Sequence, residues 1–175
     1  MDNRIKTKFT VASEEGIADL QYLGETRGHE KYGALLNEKQ MADYLFEKYN
    51  RDTIISNLNT FSNQLVVVYV DEKPAGYAFL TGKGSVPEHL ADQRVFHLQD
   101  FEVLNAFNEG EAKDRLMEKC IMICKAYDAV TLTEKADEKD RIAFYEQYGF
   151  RQQESALSDI AGVSSPSILL IRENN

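Results

Sequence analysis

Ala143-Phe144-Tyr145-Glu146-Gln147-Tyr148-Gly149-Phe150 is the stretch on which the fold turns. An aromatic pair and an acid on one helical turn run into a glycine and then another aromatic. Glycine takes the left-handed conformation that ends a helix without a Cβ penalty. Gly149 therefore reads as a helix stop, and Phe150 as the start of a strand that folds back on the helix. Tyr145 falls in the last turns of that helix, with its hydroxyl directed past the strand ends. A phenol placed there is able to give a proton to a leaving group.

On either side of this stretch the pattern alternates. Lys139 to Tyr148 reads as the helix, Ala129 to Thr133 as the strand before it, and Phe150 to Leu157 and Ser167 to Arg172 as closing strands. Ser164-Ser165-Pro166 reads as a bend at a sheet edge, where proline is tolerated. Upstream, Glu109 to Tyr127 is helical, Val95 to Leu104 is a long strand, and Gly82 to Glu88 is a loop. Gln64 to Val70 is strongly β-branched. The turn Asp71-Glu72-Lys73 links it to a second run ending at Leu80, a hairpin signal. Near the N-terminus, Ile5 to Val11 is a strand. Ser13 is an N-cap, with Glu14 and Glu15 in the first turn where the helix dipole favours acids. That helix runs through Ile17, Leu20 and Leu23. Arg27, Gly28, His29 and Gly33 leave its continuity from Thr26 to Leu36 open. Asn37 with Gln40 resembles a capping box, and Met41, Tyr44, Leu45 and Tyr49 follow at helical spacing. Ile54, Ile55, Leu58 and Phe61 suggest another short helix. The order is β-α-α-β-β-β-α-β-α-β-β, an α/β mixed sheet with helices on both faces. The strands flanking the helix within residues 95–133 are expected to be parallel.

The length of 175 residues suits one domain over 1–175. The 20 basic and 29 acidic side chains give a net charge of −9, which argues against a nucleic-acid partner. It favours a cationic partner weakly, and solubility explains it equally well. No apolar run reaches the roughly 18 residues that cross a bilayer. Met1-Asp2-Asn3-Arg4 lacks an apolar signal region, so a cytoplasmic location with no membrane association is expected. Cys120 and Cys124 share a helix face with Leu116 and Tyr127, which reads as core packing rather than redox chemistry. Two cysteines are too few for a metal site, and none is expected.

Ile142 to Phe150 resembles the closing motif of the GNAT acyl-CoA N-acyltransferase superfamily. Val66-Val67-Val68-Tyr69-Val70-Asp71-Glu72-Lys73-Pro74-Ala75-Gly76-Tyr77 is similar to that family's hairpin, and Phe101-Glu102-Val103-Leu104 to its central strand. Tyr44-Leu45 through Tyr49, then Ile54, resembles the bacterial polyamine acetyltransferase branch. The resemblance covers nearly the whole chain. It implies the GNAT fold and transfer of an acetyl group from acetyl-CoA, as co-substrate, to an amine of a small molecule or peptide. The acidic composition and the branch resemblance make a polyamine the leading acceptor. The donor would lie in a split between Val95–Leu104 and Ala129–Thr133. Backbone groups of Val103 and Leu104 would pair with its pantetheine arm as with an added strand. The pyrophosphate would sit at the next helix N-terminus, among Asn108, Glu109, Gly110, Glu111, Ala112, Lys113 and Asp114. Tyr145 would protonate the departing thiolate. The family also implies a homodimer through C-terminal strands or sheet edges.

The chain departs from the family at the phosphate loop, whose pattern is Q/R-x-x-G-x-G/A. One register keeps Gly110 and Ala112 at the glycine positions and puts Phe107 at the polar one. The ungapped register puts Asn108 at the polar position and replaces the glycines with Glu111 and Lys113. Either way carboxylates lie near a dianion, at about 1 to 4 kcal/mol per close like-charge pair, so Glu109 and Glu111 must turn outward for CoA to bind. The base is open between His97 and Glu102. Strict alternation puts His97, Gln99, Phe101 and Val103 on one face of the strand and Phe96, Leu98, Asp100 and Glu102 on the other. Each candidate also reads as structural: His97 as a hydrogen-bonded core histidine, Glu102 as a salt-bridged carboxylate, Tyr145 as a packed aromatic. Tyr22, Tyr32, Tyr44 and Tyr49 read either as core or as a cradle for a cation, and His29 as an exposed helix position. The alternatives to the acetyltransferase are a non-catalytic domain of this fold and a transferase of another acyl donor.

Overall fold

The computed structural model describes residues 4–174, with backbone alone for 154–158. Seven strands form one sheet: β1 (Ile5–Phe9), β2 (Asn63–Val70), β3 (Lys73–Thr81), β4 (Val95–Val103), β5 (Ala129–Lys135), β6 (Arg151–Ile160) and β7 (Val163–Glu173). Their spatial order is β1-β2-β3-β4-β5-β7-β6. The β4–β5 pair is parallel, and the other neighbours are antiparallel. The helices are α1 (Glu14–Tyr32), α2 (Glu38–Tyr49), α3 (Arg51–Asn59), α4 (Glu111–Cys124) and α5 (Lys139–Gln147).

Three helices lie between β1 and β2 where the eleven-element order has two; the third is the short one read from Ile54 and Leu58. It ends before Phe61, which is fully exposed. Helix α1 runs unbroken to Tyr32. Its glycines mark where α2 crosses it. A Cβ on Gly24 would lie 2.3 Å from the Tyr49 ring, and one on Gly28 3.0 Å from Leu45 Cδ2. Ser13 accepts from the Gly16 N–H, and Asn37 with Gln40 forms the expected capping box.

The sheet is covered on both faces. Ala112, Leu116, Met117, Cys120 and Cys124 of α4, with Ile142 and Phe144 of α5, bury one face against Val66, Val68, Ala78, Leu80 and Phe96. Burial pushes the Cys124 thiol up to about 12 and Cys120 up as well, as suits inert core residues. Ile17, Leu20 and Leu23 of α1 and Ile54 of α3 bury the other face against Leu65, Val67, Tyr77 and Phe79.

Two details of strand geometry differ from simple alternation. Between Phe79↔Asp100 and Leu80↔Leu98 the β3–β4 register shifts, leaving Gln99 as an extra residue. A bulge of this kind flips the face of everything beyond it. Phe96 and Leu98 therefore share the α4–α5 core with Phe101 and Val103. His97 lies on the other face, the one that Asp100 and Glu102 also take, and not with Phe101 and Val103. The second concerns Pro166, which is not at an edge. Strand β7 lies between β5 and β6, and Pro166 sits one residue past the last β5 rung, Lys135↔Ser167, where its carbonyl accepts from the Ala136 N–H but it has no N–H to give in return.

The β2–β3 loop is the two residues Asp71 and Glu72, both at positive φ (49° and 63°). That geometry matches the twist of the strands it joins. The tip of the β6–β7 hairpin packs Ile160, Ala161 and Val163 on Tyr32, Leu36 and Met41.

Candidate active site

The parallel ladder between β4 and β5 is short. It runs Val95↔Ala129, Phe96↔Val130, His97↔Thr131, and then the strands part. Each keeps its outer neighbour beyond that point: β4 stays on β3 to Val103, and β5 stays on β7 to Lys135. Two cavities meet where the strands separate, sharing Leu98, Gln99, Leu132 and Thr133. The larger, about 780 Å³, is walled by α1 and α2 and roofed by residues 159–162 of the hairpin tip. Tyr145, Glu102, Asp100, Glu134 and Arg141 line it. The smaller, about 520 Å³, lies under residues 83–87 and contains His97.

Tyr145 is placed by the helix stop that the sequence announces. Gly149 takes φ +88°, its N–H donates to Glu146 O, and the Phe150 N–H reaches back to Tyr145 O. This pair of bonds is a Schellman closure, and its usual apolar contact joins residues at the Tyr145 and Phe150 positions. The two rings are 6.1 Å apart, and Phe101 and Phe144 complete the packing. The ring is buried, yet the hydroxyl is not in apolar surroundings. It donates to Glu134 Oε2 at 3.2 Å and accepts from Arg141 Nη2 at 3.0 Å. Burial, opposed by Arg141 and reinforced by Glu134, holds the phenol well above its usual range, so it stays protonated.

Glu102 is the centre of an ion-pair cluster. Arg27 Nε donates at 2.8 Å, Lys31 Nζ at 2.6 Å and Arg141 Nη1 at 3.3 Å. Burial alone would raise its pKa; Arg141, Lys31 and Arg27 outweigh that and hold the carboxyl far below the usual range. An acid this strong is a weak base, which counts against Glu102 as the proton acceptor. His97 has the opposite character. Burial lowers its pKa, leaving a neutral imidazole at pH 7. Its Nδ1 lies 2.6 Å from Thr131 Oγ1, and its buried Nε2 has no partner among the described residues. His97 and Tyr145 line different cavities, which share Leu98, Gln99, Leu132 and Thr133 at the split.

Leu104 does not present free backbone groups to the split. Its N–H donates to Ala75 O, and its carbonyl accepts from the Phe107 N–H. Backbone direction alternates along a strand, so Phe101 and Val103 are the residues whose N–H and C=O face the opening.

Gly110 caps α4 with no side-chain hydrogen bond to the first turn. The N–H groups there are the orphan donors of any helix start. Glu109, Gly110 and Glu111 are exposed, as is Asn108, and Ala112 is buried beneath them. Lys113 Nζ stands 4.2 Å above the Phe144 ring, and burial followed by Arg141 lowers its pKa. Asp114 accepts from Tyr148 O–H at 2.6 Å, which ties it to α5. This helix start offers a pyrophosphate backbone donors, while its acidic residues oppose one.

Of the four tyrosines, Tyr32, Tyr44 and Tyr49 line the large cavity and Tyr22 is exposed. Lys48 extends between Tyr44 and Tyr49, 5.9 and 5.6 Å from their ring centres, and pairs with Asp100 at 2.7 Å. Tyr49 and Tyr77 join hydroxyl to hydroxyl. His29 is exposed. Arg27, Lys31, Lys48, Asp100, Glu134 and Arg141 were not legible as site residues. Only Arg141 carried a signal, lying four residues before Tyr145 on one helix face.

No family model matches the sequence. Solved structures do resemble the fold. PaiA N-acetyltransferase from Thermoplasma acidophilum, in complex with coenzyme A, aligns with TM-score 0.73 at 12% identity, over 97% of this chain and 98% of that one. N-acetyltransferase from Staphylococcus aureus Mu50 aligns with TM-score 0.71 at 14% identity, over 97% of each chain. An acetyltransferase of the GNAT family from Streptococcus pneumoniae gives 0.70 at 14%, over 98% and 99%. With the strand order, the parted β4–β5 pair and these likenesses together, the chain has the fold of the GNAT acetyltransferases.

Proposed function

We propose that this protein transfers an acetyl group from acetyl-CoA to the primary amine of a small molecule or peptide. The observation that carries the proposal is the parallel ladder that stops after His97↔Thr131. It leaves an opening between two strands, with Tyr145 among the residues lining the cavity beside it. The donor's arm lies in that opening along the backbone of Phe101 and Val103. The PaiA relative of this fold was solved with coenzyme A, which supports the donor assignment. The acceptor enters the large cavity, where Glu47 supplies negative charge beside Asp43 and Asp100, which pair with Lys39 and Lys48, and Tyr44 and Tyr49 supply aromatic faces.

In the reaction the amine nitrogen attacks the thioester carbon and the C–S bond breaks. Tyr145, held protonated by its burial and its bond to Glu134, gives its proton to the leaving sulfur. The proton shed by the amine goes to a neutral base, for which His97 Nε2 is the candidate. Holding the two reactants together supplies most of the acceleration in a reaction of this type. Mass-spectrometric detection of acetylated product, from acetyl-CoA and a panel of diamines, polyamines, amino acids and peptides, tests the proposal. Binding of acetyl-CoA without any product from the whole panel counts against it.

A second reading is a domain of this fold that uses no free CoA, whether non-catalytic or served by another acyl donor. The acidic α4 start, with Glu109, Glu111 and Asp114, favours it. An acyl carrier protein that releases heat on titration where free CoA does not would select the other-donor form.

A further inference from the structure

Arg141 crosses the opening between β4 and β5. From α5 its Nη2 donates to the Phe101 carbonyl oxygen at 2.8 Å. Its Nη1 lies 3.3 Å from Glu102 Oε2, and its Nε donates to Glu134 Oε2 on β5 at 2.8 Å. The guanidinium therefore ties the two strands together beyond the point where their ladder stops at His97↔Thr131. Its side chain is 13% exposed, and those of Glu102 and Glu134 are 11% and 6% exposed. These are buried, charge-assisted bonds, the stronger kind.

The position matters because of where the backbone points. The Leu104 N–H is spent on Ala75 O in β3. Counting back along the strand, Glu102 also faces β3, and Phe101 faces the opening. An extended arm that adds itself to β4 as a strand finds two inward-facing carbonyls as acceptors, those of Phe101 and Val103. Arg141 already holds the first.

We infer that Arg141 is a strap across the donor opening: its guanidinium competes with the amide-bearing arm of the acyl donor for the Phe101 carbonyl and for the space between β4 and β5. This rests on the assignment of the opening as the donor site. The donor enters only the fraction of molecules in which the strap has swung away. The apparent dissociation constant then equals the intrinsic one divided by that open fraction. Loosening the strap from either end must tighten binding.

The test is calorimetric titration of coenzyme A into the wild-type protein, Arg141→Ala and Glu134→Gln, each checked for folding by circular dichroism. The strap predicts a dissociation constant at least about tenfold lower for Arg141→Ala and several-fold lower for Glu134→Gln. Should Arg141→Ala fail to fold, Glu134→Gln carries the comparison. Wild-type binding that neither variant improves overturns the strap and leaves the donor site standing. No binding by any of the three at millimolar coenzyme A overturns both. In nitrogen-correlated NMR, the Arg141 Nε–H signal should lose its protection when the protein is saturated with coenzyme A. Its persistence unchanged in the saturated complex also overturns the strap.

Discussion

Single side chains in this site are defined by what holds their protons. Glu134 accepts the Tyr145 hydrogen, and Arg141 donates to the same oxygen. Before the donor enters, the phenol is thus kept protonated and aimed. General acids of this kind contribute roughly 10²- to 10⁴-fold. Tyr145→Phe keeps the ring packing against Phe101 and Phe150 and removes only the proton. Its kcat should fall about 100-fold, with KM for acetyl-CoA little changed, in a steady-state assay on whichever amine proves to be accepted. A kcat within a few-fold of wild type removes Tyr145 from the chemistry. Among the candidate bases, charge decides. Glu102 is held ionised by three cations, whereas His97 is neutral because burial opposes its charged form.

At the level of elements, α5 is the part that turns a sequence motif into geometry. It carries Arg141 and Tyr145 one turn apart, and the Schellman closure at Gly149 sets where the helix ends relative to β6. Arg172 Nε on β7 donates to Tyr148 O at 2.9 Å and fastens the same end to the sheet. A Cβ on Gly149 would meet Arg172 only at an ordinary 3.6 Å, but φ is +88°. The cost of Gly149→Ala is therefore backbone strain, of order 1–2 kcal/mol. Urea unfolding should show this loss with an unchanged m-value. A variant as stable as wild type means that the helix end adjusts without strain. The bulge at Gln99 plays a comparable part in β4. By adding one residue it keeps apolar side chains in the core on both sides of itself, and turns Asp100 and Glu102 toward the acceptor cavity.

Across the whole molecule, the buried ion-pair cluster joins α1, β4, β5 and α5 around the parted strands. The folded-state pKa of Glu102 is depressed below its unfolded value of about 4.3. Its contribution is therefore fully present above that pH and is lost as pH falls through the depressed value. Removing one member of a buried pair costs about 3–5 kcal/mol, because the partners stay charged and unpaired. Glu102→Gln should lose that much in urea unfolding at pH 7, and the gap to wild type should narrow at pH 3. A gap of equal size at both pH values would show that the charge on Glu102 is not what stabilises the cluster. Much of this architecture was readable in advance. The caps at Ser13 and Asn37, the hairpin at Asp71-Glu72, the Gly149 stop and the element order from β2 onward all depend on local backbone preferences, which a linear pattern records. The split itself followed from resemblance to a known family. The bulge at Gln99 was not readable, because it depends on register against β3. The partners of Glu102 lie up to 75 residues away in the chain, and no local pattern marks them. The chain by itself determined the caps, the hairpin turn and the Gly149 stop, since those are short-range matters of sterics and capping; the bounds of β6, β7 and α4 differ from the reading. Only the tertiary structure decided that Glu102 is an anion clasped by three cations, that His97 stays neutral, and that Arg141 spans the opening, because charge states and long-range contacts are properties of the packed surroundings.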